Sequence, residues 1–291
     1  MWDIKTLTPE QFALFERLIY RTTGIRMQPG KITLLSNRIR RRLRHHGLES
    51  FEEYYTLLTA GSLQGELEEF IDAVTTNETF FFRTEGHFEW FAGEFLSELA
   101  ARVVAREHPR SLKVWSAACS SGEEVYTLAI CLAEARGMLA GWQLRILGTD
   151  ISASSLAAAR TARYEGRTLE HVSPERLAKH FQQAGDGWTI RPSVKKPCEF
   201  RTHNLLKPLG ETGFDVIFVR NVMIYFDRES KRVAVGHLID ALAPGGYLVV
   251  GPADGIYDLL GDMERRSSFL YRKPLAGGRS GASAISGGRH G

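Results

Sequence analysis

Apolar residues in the first 75 positions recur every three to four residues, the period of an amphipathic helix. Four helices are predicted: from Pro9 to about Gly24, from Lys31 to His46, from Phe51 onward, and from about Gln64 to Val74. The first begins with a capping box, in which Thr8 and Gln11 flank a helix-compatible proline. The sequence therefore predicts a small helical domain over residues 1–75.

After a long predicted helix from about Glu85 to Arg106, short apolar runs alternate with helical segments. Strands are predicted at 112–118, 143–149, 214–220 and 246–251, and helices at 122–136, 152–160 and 228–242. Such alternation is typical of a parallel sheet wrapped by helices, so the predicted class is α/β and Rossmann-like. Five of the eight residues from Phe214 to Asn221 are apolar, so this strand should be buried on both faces.

The region 163–200 interrupts the alternation with glycine, proline and polar residues, and we interpret it as a small antiparallel β insertion. A short strand is predicted at 198–202, and a final edge strand at 267–272. The remaining predicted boundaries are a linker at 76–90, a second domain at 91–275 and a disordered tail at 276–291.

Composition excludes several classes of protein. No apolar run approaches the roughly 20 residues that a membrane-spanning helix needs, and the chain opens on a polar segment instead of a signal peptide. We therefore expect a cytoplasmic protein without membrane insertion. No feature of the sequence indicates an obligate oligomer, so a monomer is expected. The three cysteines, Cys119, Cys131 and Cys198, lack metal-ligand spacing, so neither a disulfide framework nor a metal site is expected.

The net charge of +3 hides a strongly basic second helix. Nine Lys or Arg residues and no acid lie between Arg17 and Leu48, and five arginines fall within residues 38–44. They could form a solvated helix face or bind nucleic acid, but no aromatic residues interleave them for base stacking. We favour an acidic partner, with Arg38, Arg41, Arg42 and Arg44 as docking residues.

Polar residues arrive at the ends of three predicted strands, where open α/β sheets hold their ligands. A small-residue turn leads to Glu123 and Glu124, which would repel a pyrophosphate and suit a cation or a ribose hydroxyl. Asp150 ends the second strand, where it either accepts hydrogen bonds from a ribose or caps the following helix. Arg220 and Asn221 end the third. The sequence thus predicts a site for a ligand that contains a ribose but no pyrophosphate.

These motifs together resemble the CheR family of chemotaxis-receptor methyltransferases over about residues 8–273. The resemblance rests on TTNETFFFR at 75–83, GEE at 122–124, GTD at 148–150, NLL at 204–206 and FDVIFVRNVMIYFD at 214–227. It implies a Rossmann-like methyltransferase fold that binds S-adenosylmethionine, yields S-adenosylhomocysteine and needs no metal. It also implies that glutamate side chains of methyl-accepting chemotaxis receptors are esterified, with the basic helix docked on the receptor's cytoplasmic domain.

The resemblance also assigns roles to individual residues. The implied cofactor-binding residues are Asn77, Thr79, Arg83, Glu123, Asp150, Asn204, Leu205, Arg220 and Asn221. Arg83 is placed near the methionine carboxylate or the substrate, and Tyr225 near the transferable methyl, so both are the expected catalytic residues. Glu78 departs from the family, whose members often carry an apolar residue there.

Two other functions stay open at this point. A methyltransferase of the same core could act on nucleic acid or a small molecule, and a non-catalytic module could keep cofactor binding for signalling. The full set of predicted site residues argues against the second alternative. The insertion has a shorter loop, at 184–188, than family members that bind a receptor tether peptide there, so we expect no tether.

Overall fold

The computed structural model describes residues 6–275, which begin with a domain of four helices. These are α1 (Pro9–Thr23), α2 (Ile32–His46), α3 (Phe51–Ala60) and α4 (Glu66–Val74). The capping box is confirmed, because the Thr8 hydroxyl accepts the Gln11 N–H and the Gln11 side chain accepts the Thr8 N–H. The apolar faces of the helices meet around the buried rings of Phe15, Tyr54 and Phe70.

The second domain is built on the predicted sheet. Its strands and those of the insertion are β1 (Ser111–Ala117), β2 (Gln143–Asp150), β3 (Arg163–Tyr164), β4 (Phe181–Ala184), β5 (Gly187–Ile190), β6 (Cys198–Thr202), β7 (Phe214–Val219), β8 (Leu242–Val250), β9 (Glu264–Arg265) and β10 (Leu270–Arg272). Seven strands form the main sheet in the order β6-β2-β1-β7-β8-β10-β9. The first five are parallel, β10 is antiparallel to β8, and β9 is antiparallel to β10. The predicted α/β class is confirmed.

Helices cover both faces of this sheet. They are α5 (Glu85–Trp90), α6 (Leu96–Val104), α7 (Glu123–Glu134), α8 (Ala153–Thr161), α9 (Pro174–His180), α10 (Pro192–Lys195) and α11 (Arg228–Ala241). Every residue of β7 is buried, with Phe218 in the apolar core on one face and Ile217 in the core on the other. This confirms the two-sided burial predicted for this strand, and it places the ends of β1, β2 and β7 in the middle of the sheet.

The structure differs from the predicted elements in two places. The predicted helix 85–106 contains a π-helical turn at Phe91–Phe95 between α5 and α6, and α6 ends at Val104. The predicted final strand, β10, is not the edge, because β9 pairs with its outer side. The insertion is confirmed as an antiparallel sheet in the order β3-β5-β4, while β6 joins the main sheet beside β2. The predicted tail, 276–291, lies outside the described residues.

Within residues 6–275, the structure has no helix with both the length and the apolar character needed to cross a bilayer.

Candidate active site

A cavity of about 130 Å³ lies between the two domains, at the carboxyl ends of β1, β2 and β7. The helical domain supplies one wall, the linker a second, and the strand ends the third. All the predicted cofactor-binding and catalytic residues except Glu123 line it: Asn77, Thr79, Arg83, Asp150, Asn204, Leu205, Arg220, Asn221 and Tyr225. The structure therefore brings together residues that are up to 148 positions apart in sequence.

Asp150 is fixed in this cavity by backbone donors. One of its oxygens accepts the Ser120 N–H at 2.8 Å and the other accepts the Ser152 N–H at 2.9 Å. Its side chain is almost buried, with the residue 6% exposed, and this burial raises the pKa of Asp150 although the two hydrogen bonds oppose the rise. The alternative that Asp150 caps α8 is wrong, because Ser152 is the cap and accepts the Ser155 N–H.

The positions of Glu123 and Glu124 at the start of α7 differ from the prediction. Glu123, expected on the methionine side of the cofactor, is 1% exposed and does not line the cavity; its carboxylate accepts the Ser121 hydroxyl at 2.7 Å, and burial raises its pKa. Glu124 lines the cavity instead. Successive residues of a helix point about 100° apart, so only one member of the pair faces the cavity.

Glu124 binds Arg220 in a buried ion pair. The Arg220 Nη1 lies 2.8 Å from a Glu124 oxygen, and its Nη2 donates to the carbonyl oxygen of Arg83. The guanidinium also lies over the Phe88 ring, 5.3 Å from its centroid. Arg220 thus joins the end of β7 to α7 and to the linker, so its charge is already paired inside the protein.

Asn221 follows in a left-handed conformation with φ of 58°. Its N–H donates to Asp254 at 3.0 Å, and the same buried carboxylate accepts the N–H groups of Met223 and Gly251. Asp254 was not among the predicted residues; it does not line the cavity but holds the backbone of Asn221, which does. Asp150 is the last residue of β2, whereas Asp254 lies four positions beyond the end of β8, so the strand-end pattern gave no signal for it.

The linker crosses the cavity and is tied to the second domain. The Asn77 amide donates to the Ser155 hydroxyl at 2.7 Å, and its carbonyl oxygen accepts the Ser120 hydroxyl at 2.8 Å. Arg83 is half-buried; its Nη1 donates to the Glu78 carbonyl oxygen at 3.1 Å, and its guanidinium lies 5.5 Å from the Phe80 ring centroid. Arg83 therefore reaches the cavity with no carboxylate paired to it among the described residues.

Asn204 contacts the helical domain as well as the cavity. Its amide donates to the Thr22 carbonyl oxygen at 2.7 Å, near the end of α1. The neighbouring Leu205 supplies a buried apolar surface. The Asn204 amide is thus held by the protein itself.

Tyr225 lies in a short 3₁₀ turn, Met223–Tyr225, where it is half-buried and follows the exposed Ile224. Its ring lines the cavity and lies 5.6 Å from the Lys31 ammonium. The two predicted catalytic residues, Arg83 and Tyr225, therefore share one cavity with Asp150.

The four predicted docking arginines divide into two pairs. Arg41 and Arg44 are exposed and have no ion pair within residues 6–275. Arg38 donates to the Val74 carbonyl oxygen at the end of α4 and to the Thr76 hydroxyl of the linker. It also lines the cavity, and burial, followed by the charge of Arg41, lowers its pKa. Arg42 forms an ion pair with Glu66 of α4, so its prediction as a free docking residue is corrected. The acid that pairs with it lies 24 positions away in sequence.

Cys119 and His203 also line the cavity. Burial raises the pKa of the Cys119 thiol well above its usual value, so the thiol stays protonated. In the part of the chain that the structure describes, no group of three or more His, Cys, Asp or Glu side chains is placed to hold a metal ion.

Comparison with known proteins gives two family matches that together span most of the chain. The CheR methyltransferase SAM-binding domain matches residues 77–268, and the CheR methyltransferase all-alpha domain matches residues 10–75. Chemotaxis protein methyltransferase 1 of Pseudomonas aeruginosa is 36% identical over 256 residues, which are 85% of this chain and 91% of that protein. The chemotaxis protein methyltransferases of Salmonella typhimurium and Escherichia coli are 35% and 33% identical, over 91% and 93% of this chain and 90% and 93% of theirs.

Among solved structures, a TehB-like SAM-dependent methyltransferase from Corynebacterium glutamicum is 17% identical, with a TM-score of 0.34. The match covers 65% of this chain and 96% of that one.

Proposed function

Because the chain belongs to the CheR family of chemotaxis methyltransferases, we propose that it transfers the methyl group of S-adenosylmethionine to glutamate carboxylates of methyl-accepting chemotaxis receptors. The products are glutamate methyl esters and S-adenosylhomocysteine. The observation that carries this proposal is the presence of Arg83, Tyr225 and Asp150 around one cavity between the domains.

The polar and apolar groups that line the cavity suit S-adenosylmethionine. Asp150 keeps lone pairs for the ribose hydroxyls. Glu124 lines the cavity as well, with its charge paired to Arg220. Leu205 and Phe88 offer apolar surface for an adenine ring. When bound, the cofactor supplies an already activated methyl group.

The chain's own residues then need only to position and shield the substrate. A glutamate side chain has a reference pKa of about 4.3, so it is an anion at neutral pH and requires no general base. One carboxylate oxygen forms a bond to the methyl carbon as the sulfur–carbon bond breaks, and no proton is released. Tyr225 orients this carboxylate and Arg83 steers it into the cavity. Tight pairing with Arg83 would stabilise the reactants more than the transition state, where both charges are being neutralised.

Tyr225→Phe is expected to slow methyl transfer only modestly, by about tenfold or less, because the hydroxyl orients the carboxylate and removes no proton. Single-turnover rates with saturating cofactor and receptor fragment measure this, and cofactor affinity should be unchanged. Complete loss of transfer with intact cofactor binding would contradict the absence of a required base.

The proposed substrate is tested by incubating the protein with S-adenosylmethionine labelled in the methyl group and a receptor cytoplasmic fragment. Glutamate esters release labelled methanol in alkali, and a fragment whose methylatable glutamates are replaced by alanine is the matched control. Alkali-resistant label, or label found only on added nucleic acid, would instead favour another methyltransferase substrate. Cofactor binding without any transfer would favour a non-catalytic module.

The exposed pair Arg41 and Arg44 is proposed to dock the acidic receptor. The double charge reversal R41E/R44E is expected to raise the KM for the receptor fragment by roughly tenfold at low salt. Exposed charges at the edge of an interface act mainly on the rate of association between the two proteins. The maximal rate and the cofactor Kd should stay within twofold by the same reasoning, since neither arginine lines the cavity.

The control for this reversal is R110E/R136E, which makes the same change in net charge. Arg110 and Arg136 are exposed at the amino end of β1 and beyond the end of α7, on the opposite edge of the sheet from the cavity. An equal rise in KM for both double variants would show a general charge effect and remove the docking role.

A further inference from the structure

The turn that carries Tyr225 is built partly by the helical domain. We call residues 221–227 the catalytic turn and residues 20–26, at the end of α1, the α1 junction. The Arg26 N–H donates to the Tyr225 carbonyl oxygen at 2.8 Å, and Ile25 pairs with Phe226 in an antiparallel bridge. The backbone of the catalytic turn is therefore bonded directly to the other domain.

Side chains reinforce this backbone pairing. The Tyr20 hydroxyl donates to Asp227 at 2.8 Å, and the Arg26 Nε lies 3.5 Å from the same oxygen. The other Asp227 oxygen accepts the Ser230 N–H and caps α11. Asp227 thus fixes the end of the catalytic turn, and Tyr20 fixes Asp227. The Arg26 guanidinium also lies over the Tyr20 ring, 4.1 Å from its centroid.

The α1 junction is closely packed at Gly24. Gly24 has a φ of +76°, and a Cβ added there would lie 2.8 Å from Leu206 Cδ1 and 3.0 Å from the Ser230 hydroxyl. On the other side the Thr22 carbonyl oxygen is held by the Asn204 amide. The junction therefore fits closely between the NLL segment and the start of α11.

We infer that the α1 junction positions Tyr225 for methyl transfer, with Tyr20 as its principal positioning residue. This inference rests on the proposed function, because it takes Tyr225 as the residue that orients the substrate carboxylate. A small displacement of an orienting group is costly in a reaction that requires in-line approach. The helical domain then has a part in the chemical step that is separate from receptor docking, since Tyr20 lies on α1 and the exposed arginines lie on α2.

Tyr20→Phe tests the inference, because it removes the hydroxyl that binds Asp227 and keeps the ring under Arg26. We expect the maximal rate to fall by about fivefold, in line with loss of one hydrogen bond to a charged group, while the KM for receptor and the cofactor Kd stay within twofold. A purely structural role would move these quantities together. Tyr55→Phe is the control, because Tyr55 is half-buried in the same domain and packs edge-on against Phe15.

A second readout needs no receptor. In protein labelled with 3-fluorotyrosine, the ¹⁹F resonance of Tyr225 is identified by its loss in Tyr225→Phe. It should shift in Tyr20→Phe and stay in place in Tyr55→Phe. If the Tyr225 resonance does not move in Tyr20→Phe, the inference is overturned, whatever the methylation rate of that variant. It is also overturned if the resonance moves while Tyr20→Phe methylates the receptor as fast as the wild type. A moved resonance in a protein that methylates no receptor would support the positioning and refute the proposed substrate alone.

Discussion

Asp150→Asn is expected to weaken S-adenosylmethionine binding by about 100-fold, which corresponds to about 2.7 kcal/mol. Each Asp150 oxygen accepts one backbone N–H, and the remaining lone pairs face the cavity. An asparagine would turn an NH₂ group toward one of these N–H donors and would lose the charge that strengthens hydrogen bonds to a ribose. Hydrogen bonds to a charged group contribute about 1.5–3 kcal/mol each, so the loss of one or two accounts for the expected change. Calorimetric titration with the cofactor measures it.

Asp215→Asn is the matched control for this change. Asp215 is also a buried acid on a strand of the sheet, where it accepts the Lys113 N–H and contacts His108, both at 2.8 Å, but it lies at the amino edge away from the cavity. This variant should be less stable and yet bind the cofactor normally. Equal weakening in both variants would mean that lost stability, not lost recognition, explains the result.

The strand ends were predictable from sequence because their signal is local. An apolar run long enough to be buried, followed at once by a polar residue, fixes both the strand and the edge at which the side chain emerges. Asp150, Arg220 and Asn221 were found in this way, and all three line the cavity. Asp254 does not follow this rule, because Gly251, Pro252 and Ala253 separate it from the end of β8 at Val250, so the pattern did not single it out.

The choice between Glu123 and Glu124 was not predictable in the same way. The two residues differ by one position at the start of a helix, and the direction in which each points depends on where the helix begins. The helix begins at Glu123, with Gly122 as its cap in a left-handed conformation. That start turns Glu124 toward Arg220 and the cavity, a contact that joins residues 96 positions apart.

The basic helix α2 also shows a limit of sequence-based prediction, because the partner of a charged residue can lie far away in the sequence. A run of arginines without acids nearby in sequence indicates an unpaired face, but packing against another helix can supply the missing acids. α4 does so for Arg42, through Glu66 and the more exposed Glu69. The proposed docking role thus falls to Arg41 and Arg44, which are exposed to solvent.

Glu66→Gln is accordingly expected to lower the free energy of unfolding by about 3 kcal/mol, the scale found when one partner of a buried ion pair is removed. The Glu66 carboxylate is 3% exposed and joins three helices, since it accepts from Arg42 and contacts His46 of α2, and accepts from the Tyr54 hydroxyl of α3. Urea unfolding at neutral pH measures the change. Glu69→Gln is the control, because the Glu69 side chain contacts the same arginine at 3.3 Å but is 60% exposed. This variant should lower the free energy of unfolding by less than about 0.5 kcal/mol.

The Glu66 carboxylate also makes the free energy of unfolding depend on pH. Burial alone would raise its pKa, but the hydrogen bonds from Arg42, Tyr54 and His46 outweigh burial and lower the pKa to about 2, against an ordinary value of 4.5. A lowered folded-state pKa contributes stability that is fully present above the unfolded value and is lost as pH falls from about 4.5 toward about 2. The wild type should therefore lose more stability than Glu66→Gln across this window, so that the two unfolding free energies converge. Parallel losses would mean that Glu66 is not the group that titrates, and that the α2–α4 contact depends on packing rather than on its charge.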